Sequence, residues 1–238
     1  MSTEETKQES EEVADQIENS NDSQIVSFLK TTVGKIAVVV VVLLVVVSGV
    51  FYWQSMNKGN ADKASLALSR VRSYYEAGDY QRALNGDPNA QMRGESIQGL
   101  LTIANLYGGT PSGKTAAYYA GISYVNMKNY AEAKKMFEIA NGSESEIVKA
   151  GATAGLGVIA EHSNNLAEAS ENYIKASAFA QDDVSKARFL YFSAICLEKL
   201  SKKEDAVSQY KEIVNKYAQT EYAGESKAGL ARLGTIID

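Results

Sequence analysis

A single cysteine, Cys196, a single histidine, His162, and two prolines, Pro88 and Pro111, stand in a chain of 238 residues. One thiol cannot close an intramolecular disulfide, which excludes the stapled secreted scaffolds and fits either side of a bacterial membrane. One histidine cannot build a His-rich metal site, and no cysteine stands near it to form a nucleophilic pair. Basic charge is not in surplus: Lys and Arg number 24 against 29 Asp and Glu. Without a net positive face to neutralise phosphates, nucleic acid is not an expected partner. Carboxylates are nowhere dense in one short stretch, so a paired acid/base site has no support. No metal and no cofactor is implied.

What is present divides the chain into three. Residues 1–30 form an acidic tail; from Met1 to about Asn21 it has almost no large apolar side chains, too little to offset the entropy of ordering, and disorder is expected there. Up to Lys35 the chain holds eight acids against three bases, which accounts for the whole net charge of −5 and leaves the remainder neutral. Residues 31–56 contain KIAVVVVVLLVVVSGVFYW, in which Ile36 to Trp53 is 18 uncharged residues, nine of them valine. At 1.5 Å per residue a helix of that length spans about 27 Å, close to the ~30 Å hydrocarbon core of a bilayer. Phe51, Tyr52 and Trp53 make an aromatic belt at its far end. The run is long, starts late and ends in bulky aromatics, unlike a cleaved signal peptide. A single transmembrane anchor, from Ile36 to Trp53, is therefore expected, with membrane lipid as one partner. Lys30 and Lys35 precede it while Lys58, Lys63, Arg70 and Arg72 follow. Taken literally, that count favours a cytoplasmic C-terminal domain.

Residues 57–238 are helical by pattern and self-similar. The stretches NMKNYAEAKKMFEIA (126–140), HSNNLAEASENYIKA (162–176) and KLSKKEDAVSQYKEI (199–213) align. Each has a polar turn, a small residue (Ala133, Ala169, Ala206), an aromatic four positions later (Phe137, Tyr173, Tyr210) and then Ala140, Ala176 or Ile213. RSYYEAGDYQRAL (72–84) begins a fourth copy, with Ala83 in the small position. Such a unit is a helical hairpin: the small residue lets two helices approach, and the aromatic fills the space between hairpins. The pattern resembles the tetratricopeptide repeat. Gly121, Tyr124, Tyr130, Ala133, Phe137 and Ala140 match it closely, while Ala160 and Ala194 depart from it in the later copies. The resemblance implies an all-α fold: an N-terminal transmembrane helix followed by an α-solenoid. Repeats are expected near 64–97, 114–147, 150–183 and 187–220, with a capping helix over 221–236.

Tail, single span and repeat domain together resemble the YfgM-type proteins of bacterial inner membranes. That resemblance implies a repeat domain facing the periplasm and an adaptor role beside the Sec translocon, with translocon components, chaperones or client segments as protein partners. A scaffold for another envelope complex, in division or outer-membrane assembly, is the alternative. First-helix positions of the repeats would line a protein-binding groove. In the first full repeat these are Tyr118, Ile122, Val125 and Asn126. The next contributes Val158, Glu161 and His162, together with Ala154. The last contributes Arg188, Tyr191, Ile195, Glu198 and Lys199. Thr115, Ala154 and Tyr191 do not reproduce the carboxylate clamp found in some repeat proteins. Mixed aromatic, aliphatic and charged positions suit an extended or helical protein segment.

One motif points elsewhere. Gly108–Thr115, GGTPSGKT, satisfies G-x-x-x-x-G-K-[ST], the phosphate-cradling loop, and raises an NTPase as the enzymatic alternative. A working loop of that kind joins a buried strand to a helix. Here SIQGLLTIANLY precedes it, with apolar residues at helical spacing. GGTPSG is expected to be helix–turn–helix punctuation, with a new helix from about Lys114 and no nucleotide bound. Cys196, within FLYFSAICLEKL, is expected to be a small buried residue.

Overall fold

The computed structural model describes residues 32–92 and 94–235, and leaves the side chains of residues 33–35, 37–39, 41–42 and 50–57 outside that description. The acidic tail, the side chain of Trp53 and the last position of the expected capping helix lie outside the described residues. The chain falls into two units, Met1–Met56 and Asn57–Asp238.

Ten helices and two strands are described. They are α1 (Thr32–Glu76), α2 (Tyr80–Asn85), β1 (Gly86–Met92), β2 (Glu95–Gln98), α3 (Leu100–Tyr107) and α4 (Pro111–Asn126). There follow α5 (Tyr130–Asn141), α6 (Glu146–His162), α7 (Leu166–Phe179), α8 (Asp183–Lys199), α9 (Lys203–Lys216) and α10 (Glu221–Arg232). In the first unit, α1 shows its apolar side chains to solvent: Leu43 to Val47 are five consecutive residues between 55% and 64% exposed. Ser48 returns its hydroxyl proton to the Leu44 carbonyl at 2.5 Å. Among the described residues, no helix is long and apolar enough to cross a membrane. The expected anchor is therefore not found among the described residues, and part of its run lies outside the described side chains.

In the second unit one turn is used four times. Gly78, Lys128, Asn164 and Ser201 all have φ between 58° and 75°, and each stands five residues before the small residue of its repeat. This left-handed residue closes the first helix of a hairpin, as helix C-termini commonly require. The next amide then reaches back five residues: Asp79 N–H to Tyr74 O, Asn129 to Tyr124, Asn165 to Ala160 and Lys202 to Leu197, at 2.8–2.9 Å. Asp79, Asn129 and Asn165 also cap the second helix, each accepting from a backbone N–H three residues on. Lys202 has no such side-chain bond.

The small and aromatic positions pack as their spacing predicts. Ala83, Ala133, Ala169 and Ala206 are fully buried. Phe137 is wedged between glycines of two first helices: a Cβ at Gly121 would lie 2.6 Å from its ring, and one at Gly155 2.5 Å. Tyr173 sits against Gly157, and Tyr210 against Gly229 of α10. Phe137 and Tyr210 thus join their own hairpins to the next helix, and Tyr173 does so through Phe192 of α8, ring centroids 5.5 Å apart, which is how a stack buries a core that no hairpin could bury alone. A buried Ser170–Ser193 hydrogen bond of 2.8 Å ties α7 to α8. Cys196 is fully buried, and burial pushes its thiol up to about 11, with nearby Glu161 adding to the rise.

Three expectations are corrected. The repeat expected near 64–97 has a second helix of only six residues, because the chain turns after Asn85 into an antiparallel β-hairpin. Asp87 pairs with Ile97 and Gln91 with Ser96, leaving Pro88, Asn89 and Ala90 in a bulge. Proline lacks the N–H that a ladder needs and disfavours helix in the residue before it, so Pro88 accounts for both the break and the bulge. Gly86, at φ 81°, passes within reach of the β2 backbone, where a Cβ would meet Ile97 O at 2.2 Å. Second, α4 starts at Pro111, three residues before the expected Lys114, because Thr110 supplies the cap. Third, α10 ends at Arg232.

Candidate protein-binding face

The first helices α4, α6 and α8 carry the predicted residues, and contacts among them and with α10 bring several together. Tyr118 of α4 lies over Gly151 of α6, where a Cβ would be 2.6 Å from the Tyr118 hydroxyl. Burial raises the Tyr118 pKa, and the Arg188 guanidinium of α8 works against that rise. Glu161 and Lys199 form an ion pair of 2.8 Å between α6 and α8. Glu198 pairs with Arg232 of α10 at 3.1 Å.

These carboxylates are also held from below. Tyr173 donates to Glu161 at 3.3 Å and Tyr210 donates to Glu198 at 2.9 Å. Burial, reinforced by the glutamate in each case, pushes both phenols well up from their usual range. Each rung is therefore a buried tyrosine, a glutamate and a cation from the next first helix. Glu198 is held below the ordinary glutamate value by the Arg232 bond first and the Tyr210 bond second, against the opposing effect of burial. Bonding to Glu161 raises the Lys199 pKa. The first full hairpin has Val125 and Phe137 at the matching positions, so it lacks both the acid and the hydroxyl.

The remaining predicted residues are not gathered into one patch. Tyr191 belongs to an aromatic cluster with Phe192, Tyr210 and Tyr222, ring centroids 5.7–6.1 Å away, and its hydroxyl donates to Glu225 at 3.4 Å. Ile122 and Val125 are half-buried against the core. Asn126 spends its side-chain amide on its own helix, donating to Ile122 O at 2.9 Å. Val158, 38% exposed, is an accessible aliphatic group of α6, as is Ile147 at 69% near the start of that helix. His162 is exposed and stacks on Tyr130, the first residue of α5, with ring centroids 3.7 Å apart. Ile195 is half-buried, and Arg188 is exposed with its guanidinium 4.9 Å from the Phe189 ring. Reasoning from repeat positions missed Tyr173, Tyr210, Arg232 and Tyr130 as partners. A signal existed for the first two: each tyrosine follows its glutamate by 12 residues in both later repeats.

Gly108–Thr115 spans the turn after α3 and the first residues of α4. Its Thr110 hydroxyl donates to Tyr107 O at 2.8 Å and accepts from the Gly113 N–H at 3.1 Å. Pro111 takes the first helical position, where its missing N–H costs nothing. Thr115 donates to Pro111 O at 3.0 Å. Gly113 is required by crowding, since a Cβ there would lie 1.9 Å from Tyr107 O. Lys114 runs toward the end of α5, its Nζ 3.1 Å from where a Cβ of Gly142 would be. The Gly113 amide and the Thr115 hydroxyl that a phosphate cradle would use are both committed to the helix–turn–helix.

The tetratricopeptide repeat family profile matches residues 115–140, which is α4 beyond its first turn and nearly all of α5. No curated protein matches the chain. The matched segment includes Gly121 and Phe137, which pack against each other, and the fully buried Ala133 and Ala140. Together, the profile match and the stacked helical hairpins support a tetratricopeptide-repeat protein, and such repeats typically serve protein–protein interaction.

Proposed function

We propose that the chain is a membrane-anchored adaptor whose hairpin stack binds protein segments. The observation that carries the reading is the stack itself, with a first-helix face that leaves Val158 and Arg188 accessible beside fixed glutamate–cation rungs. Accessible apolar groups bordered by oriented charges suit a peptide or helix laid across several repeats. The anchor is Ile36–Trp53, supported by the uncharged valine run and by the exposure of Leu43 to Val47, which water would oppose and lipid would favour. Resemblance to the YfgM-type proteins supports a bacterial inner membrane, a periplasmic repeat domain and clients at or after Sec translocation.

Two experiments test this. A reporter fused after Asp238 is expected to be active as a periplasmic reporter, whereas cytoplasmic activity would remove the proposed location. Pull-down from solubilised membranes is expected to recover translocon or chaperone components with the wild type and far less with Val158→Glu/Arg188→Glu. Enrichment of a division or outer-membrane assembly complex instead would make the chain a scaffold for that complex. Recovery unchanged by the double variant would move the binding surface off the first-helix face.

A further inference from the structure

The β-hairpin builds a second site away from the first-helix face. A cleft of about 370 Å³ opens between α1, β2 and α3, lined by Lys63, Leu66 and Arg70 of α1, Glu95 and Gln98 of β2, and Tyr107 of α3. Its volume lies at the lower end of the ~300–1,000 Å³ usual for small-ligand sites. Arg70 is 7% exposed, a burial that arginine accepts only with partners. Its Nη1 donates to the Glu95 carboxylate, but its buried Nε has no hydrogen-bond partner. Nε–H and Nη2 share one edge of the planar guanidinium, and that edge matches the two oxygens of a carboxylate. Glu95, at the other end, is 71% exposed and keeps much of its hydration. Lys63 and Arg70 against Glu95 leave the lining one positive charge in excess. Leu66, Ala67 and Tyr107 supply the apolar part of the lining.

We propose that this cleft binds a small organic acid, with its carboxylate on the Nε/Nη2 edge of Arg70 near Lys63 and a short apolar body against Leu66 and Tyr107. One excess positive charge suits a monoanion better than phosphate, and a flat guanidinium edge suits a flat anion. The site exists because Pro88 and Gly86 divert the first repeat into a hairpin that brings Glu95 over α1. It shares no residue with the first-helix face, so it stands or falls separately from the adaptor reading.

Calorimetric titration of the full-length chain in mild detergent tests it, with 4-methylpentanoate, the corresponding amide and inorganic phosphate as probes. The acid is expected to bind at one site and the amide roughly tenfold or more weakly, the loss of a charge-assisted bond. Saturation with the acid should shift the Nε–H resonance of Arg70. Arg70→Gln should abolish binding. Because Arg70 is buried, two exposed positions keep the test independent of folding. Lys63→Gln should weaken the acid severalfold, and Glu95→Gln, by removing a competing carboxylate, should strengthen it. Absence of binding at millimolar acid, equal binding of acid and amide, tighter binding of phosphate, or indifference to both Lys63→Gln and Glu95→Gln would each overturn the proposal.

Discussion

The first hairpin and the three that follow start alike and end differently. All four place a left-handed residue five positions before a fully buried alanine. In the later three, an aromatic four residues beyond that alanine continues the helix and fills the next interface. In the first, that position is Asp87 and Pro88 follows, so the helix stops at Asn85. The hydrogen bond across the hairpin survives with its partners exchanged. Tyr74 of the first helix donates to Asp87 at 3.0 Å, whereas Tyr173 and Tyr210 of second helices donate to glutamates of first helices. Asp87 also accepts from the Asn89 and Ala90 amides, which holds the bulge. Turn and small residue therefore specify a hairpin, while the aromatic specifies that another hairpin can stack on it.

The largest way to break this difference is Phe137→Ala, which should cost about 3–5 kcal/mol, since the ring fills the gap left by Gly121 and Gly155. Denaturant unfolding monitored by circular dichroism measures it. Filling the same gap from the other side, Gly155→Ala, should cost about 1–3 kcal/mol, because Phe137 is already held by Gly121 and cannot retreat. Tyr210→Phe should cost about 1 kcal/mol by removing the buried hydroxyl from Glu198.

The rungs also predict a pH dependence. The Glu198 carboxyl has a lowered pKa in the folded chain, so its stabilising contribution is present above the ordinary value of 4.5 and is lost as pH falls through the lowered one. Glu198→Gln should flatten that acid limb of the stability curve. In the first hairpin, Asp87→Ala should release the bulge, seen as faster hydrogen exchange at Ala90 with the later hairpins unchanged.

The smallest effects test the shared turn. Ser201→Gly should stabilise by roughly 0.5–1 kcal/mol, because a non-glycine residue at φ 59° carries a penalty that glycine avoids. Lys202→Asp should add a similar amount by supplying the cap that Asp79, Asn129 and Asn165 provide elsewhere. Thermal unfolding of both variants checks the pair.

Much of the stack was legible because its determinants are short-range. Ala133, Phe137 and Ala140 sit at fixed spacing, and Gly121 precedes Phe137 by the same 16 residues that separate Gly157 from Tyr173. The β-hairpin was not legible: NGDPNAQMRGESIQG has the composition of a loop, and pairing across a three-residue bulge breaks the alternation that marks a strand. The start of α4 was misplaced because the repeat register was counted from Lys114, although Thr110 and Pro111 are good capping residues. The cleft joins Arg70 to Glu95 across 25 residues, a proximity created by the hairpin and carried by no local pattern. His162 was legible as a first-helix residue, but its stack on Tyr130 depends on where the preceding loop ends.

Site-specific photo-crosslinking is the most direct test of the adaptor claim. A photoreactive residue at Val158 of α6 and, separately, at the exposed Lys175 of α7 would be incorporated in full-length chain in living cells. Crosslinks to protein partners from Val158 that are absent from Lys175, and that Arg188→Glu diminishes, are the predicted result. Equal crosslinking from both positions, or partners captured from Lys175 alone, would contradict a first-helix binding face.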